Sequence, residues 1–496
     1  MTARYRARLA LLLLQLGVSL CAFAGPPTPS LDLLRNRAFV ELQASFDRLQ
    51  TDYEADTAGE MAMATAFWEF KRADPELEPL LDEWVQAMPA SYAARTARAA
   101  YRVETAHAWR GGAWSGDVAP ARWDAMNRWL QAADEDIAAA VRSTAKPVFA
   151  IETRMRLLSL SGSGEEIKAE LDKAVLLDAN AMGPRRAYLG ALLPRWGGSY
   201  QAMRAFGDGF KDAAHAKLRP LPQIAQAAAL ADQGDLAHSA RDYVAAVRFY
   251  GEARAVHEDA QALCGLARSY AAIGQTQNAI DLLNRGVALA PLSAFCYATR
   301  GQAYLNARQP ALGVADLRDA AGLGDVHAAA LLGNLYLSGN EGVGIDVAEA
   351  VRWLEVAAHF WDTSALFALG KLYERGPGVA IDLRKAAQYY REAADLGYGP
   401  AENDLGLALW YGNGVDQDQV EAVRLWRRAA GRGIWQSQHN LEYFLHPVDR
   451  YLIQFGFVDG PGHAKEVLGA AGAVLAIMLV LLVAERRQSR IRAKAK

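Results

Sequence analysis

The feature that most constrains this chain is a self-similarity at 36 residues in its C-terminal half. Setting Leu332-Gly333 over Leu369-Gly370 and Leu405-Gly406 brings the same residue types into line down three copies. Ala328, Ala365 and Ala401 precede the leucines, and Gly342-Val343, Gly378-Val379 and Gly414-Val415 follow in a loop. After the loop come Asp346, Asp382 and Asp418, then Ala350, Ala386 and Ala422, then the alanine pairs 357/358, 393/394 and 429/430. A period of this length is one supersecondary unit that cannot bury its apolar faces alone, so the copies must stack into an array. Roughly a fifth of the chain is alanine, which favours helices and close helix packing over sheet.

The pattern reads as a helical hairpin. Gly333, Gly370 and Gly406 remove a side chain from the first helix, so the second can approach, with Ala358, Ala394 and Ala430 as a matching small surface. Asp346, Asp382 and Asp418 are placed to cap the second helix, with Glu349 and Glu421 three residues on completing capping boxes in the outer copies. In this pattern the chain resembles the Sel1-like repeat, a helix-turn-helix unit related to the tetratricopeptide repeat. The second copy follows it nearly throughout, including Tyr373, Gly376, Tyr389, Tyr390 and Gly397. The first copy has Trp361 where the closing glycine is expected, and the third has Leu409 in place of the tyrosine. A fourth begins at Ser437, has Glu442 instead of glycine, and breaks off as a terminal cap would. The resemblance implies an all-α, right-handed α-solenoid that binds proteins and is not an enzyme.

Upstream the period becomes 34, the tetratricopeptide value, aligning Tyr270 with Tyr304 and Leu283 with Leu317. Three tetratricopeptide-like units are expected across 226–325, ahead of Sel1-like repeats across 326–445. Cys264 and Cys296 fall on the first helices of adjacent units. In an oxidising compartment they can form a disulfide, but stacked helices lie roughly 8–10 Å apart, which favours separate thiols. Residues 25–225 form a helical domain of unknown function with no clean period. Helical spacing shows in Leu77, Leu80, Leu81, Trp84 and Val85, and in Leu171, Val175 and Leu176. The stretch Leu193-Pro194-Arg195-Trp196-Gly197-Gly198-Ser199, with Met203, resembles an uncharacterised bacterial domain found beside such repeats, and reads physically as a helix-breaking corner.

The two ends carry topology. Arg4, Arg6 and Arg8, an apolar run and Ala22-Phe23-Ala24 make 1–24 a secretory signal. Val467 to Ala484 is an uncharged apolar segment, about 27 Å long as a helix and so sufficient to span a bilayer. It is separated from the repeats by a membrane-proximal linker, 446–466. Behind it, 485–496 carries six basic residues against Glu485, which the positive-inside rule places in the cytoplasm. None of the eleven asparagines lies in a glycosylation sequon, and the expected location is a bacterial inner membrane, with the bulk of the chain periplasmic. The net charge of -3 divides accordingly: residues 25–466 hold 44 basic and 55 acidic residues. That balance disfavours nucleic acid and favours basic or apolar protein partners.

No serine-hydrolase elbow, zinc-protease motif, phosphate loop or dinucleotide fingerprint is present, and no cofactor or metal is expected. The carboxylates at 74–83 and at Asp134-Glu135-Asp136 read as solvated acidic faces. Trp361, Trp410, Tyr411 and Trp435 stand at hairpin ends outside the packing positions, which makes them the candidate partner-contact residues. The expected function is therefore an exported, membrane-anchored scaffold in envelope assembly, export or signalling. An enzyme with an unrecognised site in 30–220, and a lumenal adaptor of the endoplasmic reticulum, are the alternatives.

Overall fold

The computed structural model describes residues 30–55, 59–110, 120–161, 164–376 and 378–445. The signal expected at 1–24, the linker at 446–466, the apolar segment at 467–484 and the basic tail lie outside these residues. Among the described residues all regular structure is helical, and no helix is long and apolar enough to cross a membrane. The chain divides into two compact units, one ending at Asp325 and the other starting at Val326.

The first unit opens with α1 (Ser30–Arg35), α2 (Phe39–Glu54), α3 (Gly59–Trp68), α4 (Leu77–Ala87), α5 (Tyr92–Arg110), α6 (Pro120–Val141) and α7 (Val148–Ser161). Their core is aromatic. Helix α4 buries Leu77, Leu81, Trp84 and Val85, and the Trp84 ring lies 5.9 Å from Phe46 and 6.0 Å from Phe70. The acidic run on α6 is not a solvated face throughout. Asp136 is 1% exposed, and Arg95, Arg98 and Arg102, one stripe of α5, all donate to its carboxylate. A buried carboxylate needs such partners, and they come from a helix whose own arginines would otherwise face one another.

Next come α8 (Gly164–Leu177), α9 (Gly183–Ala191) and α10 (Tyr200–Asp208). Helix α8 buries Leu171 but leaves Leu176 88% exposed, because five residues of helix rotate one position well away from the other. Between α9 and α10, Pro194–Trp196 form a single 3₁₀ turn closed by Gly197 at φ 87°, and Ser199 caps α10 by accepting from the Ala202 amide. This is the corner expected from the Pro and Gly residues.

Three hairpins complete the unit: α11 (Leu221–Ser239) with α12 (Tyr243–Val256), α13 (Ala260–Ala272) with α14 (Thr276–Leu289), and α15 (Ala294–Asn306) with α16 (Pro310–Gly322). A domain boundary at 225/226 would cut α11, whose first residue is Leu221. Tyr250 is fully buried between two glycines: a Cβ on Gly234 or Gly265 would come within 2.9 or 2.3 Å of its ring. The last hairpin returns to the start of the unit, where Arg72 Nη1 donates to the Gly322 carbonyl at 2.7 Å.

The second unit stacks α17 (Val326–Ser338) with α18 (Val347–His359), α19 (Thr363–Arg375) with α20 (Leu383–Asp395), α21 (Gly399–Tyr411) with α22 (Gln419–Gly431), and a last helix α23 (Trp435–Phe444). What fills the glycine notches is a large side chain of the second helix rather than alanine. A Cβ on Gly333, Gly370 or Gly406 would sit 2.5 Å from Leu354, 2.4 Å from Tyr390 and 2.4 Å from Trp426 respectively. Ala358 and Ala394 are buried nearby, and Ala430 is half-buried.

Asp346, Asp382 and Asp418 each cap their helix, accepting from the amides of Glu349, Lys385 and Glu421. The capping boxes are not closed. The amides of the three aspartates donate instead to the carbonyls of Tyr336, Tyr373 and Leu409 on the first helix, tying the two arms of each hairpin together. Glu349 accepts from the Trp353 indole at 3.1 Å and pairs with Arg352.

Candidate functional site

Toward the end of the second unit Tyr411, Trp435 and Tyr443 are exposed aromatic side chains. Helix α23 docks through a buried polar contact: Ser437 Oγ and Asn440 Nδ2 both donate to Asn403 Oδ1, at 2.8 and 3.0 Å. The Asn403 carbonyl in turn accepts from the Trp426 indole. Glu402, with no exposed surface, is held by Arg428 and Arg432. With α21 and α22 fixed in this way, an aromatic cluster forms above them. Trp410 lies 5.4 Å from Trp426 and 5.1 Å from Phe444, and Tyr411 meets Phe444 edge-on at 5.8 Å.

The four candidate contact residues divide in this frame. Tyr411 and Trp435 are open to solvent, at 57% and 66% exposure, and Tyr443, edge-on to Phe444, is 73% exposed. Trp410 is half-buried and supports the cluster. Trp361 is elsewhere, in the turn between the first and second repeats, with φ 57° where the equivalent turns use Gly397 at 82° and Gly433 at 87°. A tryptophan in the left-handed region is strained relative to glycine, so the side chain is held there by its surroundings at a backbone cost.

A groove of about 730 Å³ lies beside the cluster, between α20 and the third hairpin loop, lined by Arg384, Arg391, Leu409, Gly414, Asp416 and Asp418. Arg384 and Arg391 are exposed and two helical turns apart, so the one readable signal for this groove was a pair of arginines at i and i+7 outside the repeat pattern. At the middle repeat Lys385, which replaces the capping-box glutamate, donates to the Tyr373 hydroxyl at 2.7 Å and lies 4.0 Å from that ring. The hydrogen bond to Tyr373 holds the Lys385 ammonium above its ordinary pKa. These groups can grip an extended chain by its charges and apolar side chains, and nothing among them is arranged as a nucleophile with a base. Among the described residues no group of three or more His, Cys, Asp or Glu is placed to hold a metal.

Cys264 and Cys296 are joined in a disulfide, their Cα atoms 5.4 Å apart, where generic helix spacing favoured separate thiols. The local reason is Gly286 on α14: a Cβ there would fall 2.3 Å from Cys264 Sγ and 3.5 Å from Cys296 Sγ. Its missing side chain leaves the volume the sulfurs occupy, and both cysteines are fully buried.

Comparison with known proteins places these features. The Sel1 repeat family matches residues 326–359, 363–398 and 399–434. A domain of unknown function, DUF4034, matches 30–164, ahead of the Leu193–Ser199 stretch on which the earlier resemblance rested. No curated protein matches the chain. Among solved structures, a Sel1 repeat protein from Oxalobacter formigenes is 25% identical, covering 42% of this chain and 88% of its own, with a TM-score of 0.37. The protective antigen c5321 of uropathogenic Escherichia coli is 17% identical over 79% of this chain and 85% of its own, with a TM-score of 0.40. YrrB, a tetratricopeptide protein described as having an unusual peptide-binding site, is 16% identical over 39% of this chain and 97% of its own, at 0.28. The chain therefore contains Sel1 repeats and, ahead of them, a DUF4034 domain.

Proposed function

We propose that this chain is an exported scaffold, anchored in a bacterial inner membrane by residues 467–484, that binds protein partners through its repeats. The observation that carries the scaffold reading is the division of labour in the Sel1 hairpins. Glycine notches, aspartate caps and the Asn403 contacts hold the stack, while Tyr411, Trp435, Arg384 and Arg391 are left free to face a partner. Repeat proteins of this type bind protein partners. The partner segments should be basic or apolar, given the acidic balance of residues 25–466.

Export is supported by the basic, apolar and A-x-A order of the first 24 residues and by the buried disulfide, whose chemistry suits an oxidising compartment. Crosslinking in intact cells followed by affinity capture of the full-length protein should enrich a defined partner, and a Tyr411→Ala/Trp435→Ala variant should lose it. Absence of any enriched partner counts against the scaffold. A reporter active only in the cytoplasm, fused after Lys496, should be active; activity of an export-dependent reporter there instead contradicts the orientation.

A further inference from the structure

The first unit holds a second cluster that the scaffold reading does not use. Glu104, His107 and Arg110 lie at three-residue intervals on α5. Across from them on α7, Glu152 pairs with Lys71 at 3.3 Å, and Arg156 pairs with Glu104. The two pairs also act on each other, since Lys71 feels both Arg156 and Glu104, and His107 feels Glu104, Arg156 and Arg110. The group is therefore one electrostatic site built from α5, α7 and the turn after α3.

Its charges do not balance. Lys71, Arg110 and Arg156 face two carboxylates, and burial lowers the His107 pKa, with Arg156 and Arg110 adding to that against Glu104. The unmatched cation is Arg110. Its guanidinium rests over the Trp196 ring at 5.5 Å, its Nε is buried without a hydrogen-bond partner, and no carboxylate of the described residues pairs with it. Burial alone pulls its pKa down. A cation over an aromatic face recovers only part of what desolvating an unpaired guanidinium costs. A protein whose exported part carries an excess of acid has concentrated a net positive charge here, against its own average.

We infer that this cluster binds an anionic group, a phosphate or a carboxylate, with Arg110 as its principal contact and Trp196 holding the guanidinium in place. Charge-assisted hydrogen bonds to a fixed arginine are the strong kind and are directional enough to select an oxyanion. The other cations of the site are already engaged with Glu104 and Glu152, so they raise the local potential without competing for the ligand.

The test is calorimetric titration of the full-length protein in detergent with inorganic phosphate and, separately, with acetate, against chloride at equal ionic strength. Saturable binding of one or both is expected, and the two arms assign the oxyanion. Arg110→Gln should weaken it by about tenfold or more, the loss of one charged hydrogen-bonding partner, whereas Arg427→Gln on the exposed face of α22 should leave it unchanged. Circular dichroism at matched temperature confirms that Arg110→Gln is folded, and Arg110→Lys should retain intermediate binding. Absence of saturable binding by either anion overturns the inference, as does equal binding by Arg110→Gln.

Discussion

Breaking the Cys264–Cys296 bond should destabilise the first unit by an amount set mainly by the loop it closes. The two cysteines are 32 residues apart. The loop-entropy relation gives about 3.7 kcal/mol at 25 °C for a loop of that length. With an unfolding slope of about 3 kcal/mol per molar urea, the midpoint should fall by roughly 1.2 M. Urea unfolding of the full-length protein in detergent, followed by circular dichroism with and without reductant, reads this difference. Because both sulfurs are fully buried, reductant must be present through an unfolding and refolding cycle to act. A Cys264→Ala/Cys296→Ala variant should unfold near the reduced midpoint and ignore reductant. Alkylation of both thiols in unreduced, denatured protein, or coincident midpoints with and without reductant, would refute the reasoning.

Asp136→Asn removes the buried carboxylate that Arg95, Arg98 and Arg102 share, and should cost about 3 kcal/mol in urea unfolding; a loss under about 1 kcal/mol contradicts the reading of a buried ion cluster. Gly370→Ala drives a methyl to 2.4 Å from the Tyr390 ring and should cost about 1–3 kcal/mol, whereas Gly251→Ala on α12, with nothing within 4 Å, should gain about 0.5–1 kcal/mol. Equal effects at the two sites would show that the notch is not tight. Desolvation, with Arg156 and Arg110 acting against Glu104, lowers the His107 pKa in the folded state, so the unfolded chain takes up its proton first as pH falls. Stability should therefore be full above the unfolded pKa near 6.5 and decline below it, and His107→Asn should flatten that decline between about pH 7 and 5.

The Sel1 hairpins were legible because their determinants are local. Glycine, aspartate and alanine recur at fixed offsets, and each acts within one or two turns of itself, as the caps at Asp346, Asp382 and Asp418 illustrate. The occupants of the notches were not read, because Leu354, Tyr390 and Trp426 share size but not type, and a match by residue identity passes over them. The capping boxes stay open because the aspartate amides donate to carbonyls of the first helix, a tie between the arms that residue identity does not reveal.

Long-range pairings were the harder part. Asp136 looked solvated among its own neighbours, and its partners stand 34 to 41 residues upstream, although Arg95, Arg98 and Arg102 already formed a stripe at helical spacing. The disulfide was obscured by a mean helix separation that takes no account of a single glycine such as Gly286. Of the candidate contact residues, Tyr411 and Trp435 are exposed, as their position at hairpin ends suggested. The groove beside them required three-dimensional knowledge, since Arg384 and Asp416 meet only when α20 and the next loop pack. The cluster proposed to bind an anion had no readable motif, because Lys71, Arg110, Arg156 and Trp196 come from four separate segments.

The central claim, that the Sel1 repeats present a partner-binding surface, is tested most directly by site-specific photo-crosslinking in living cells. A photoreactive amino acid at 411, 435, 384 or 391 of the full-length chain should give a discrete adduct with the same partner at neighbouring positions. The same probe at Gly251, on a helix of the first unit, should give none with that partner. Absence of an adduct at all four repeat positions, in cells where the protein is present and folded, would contradict the account.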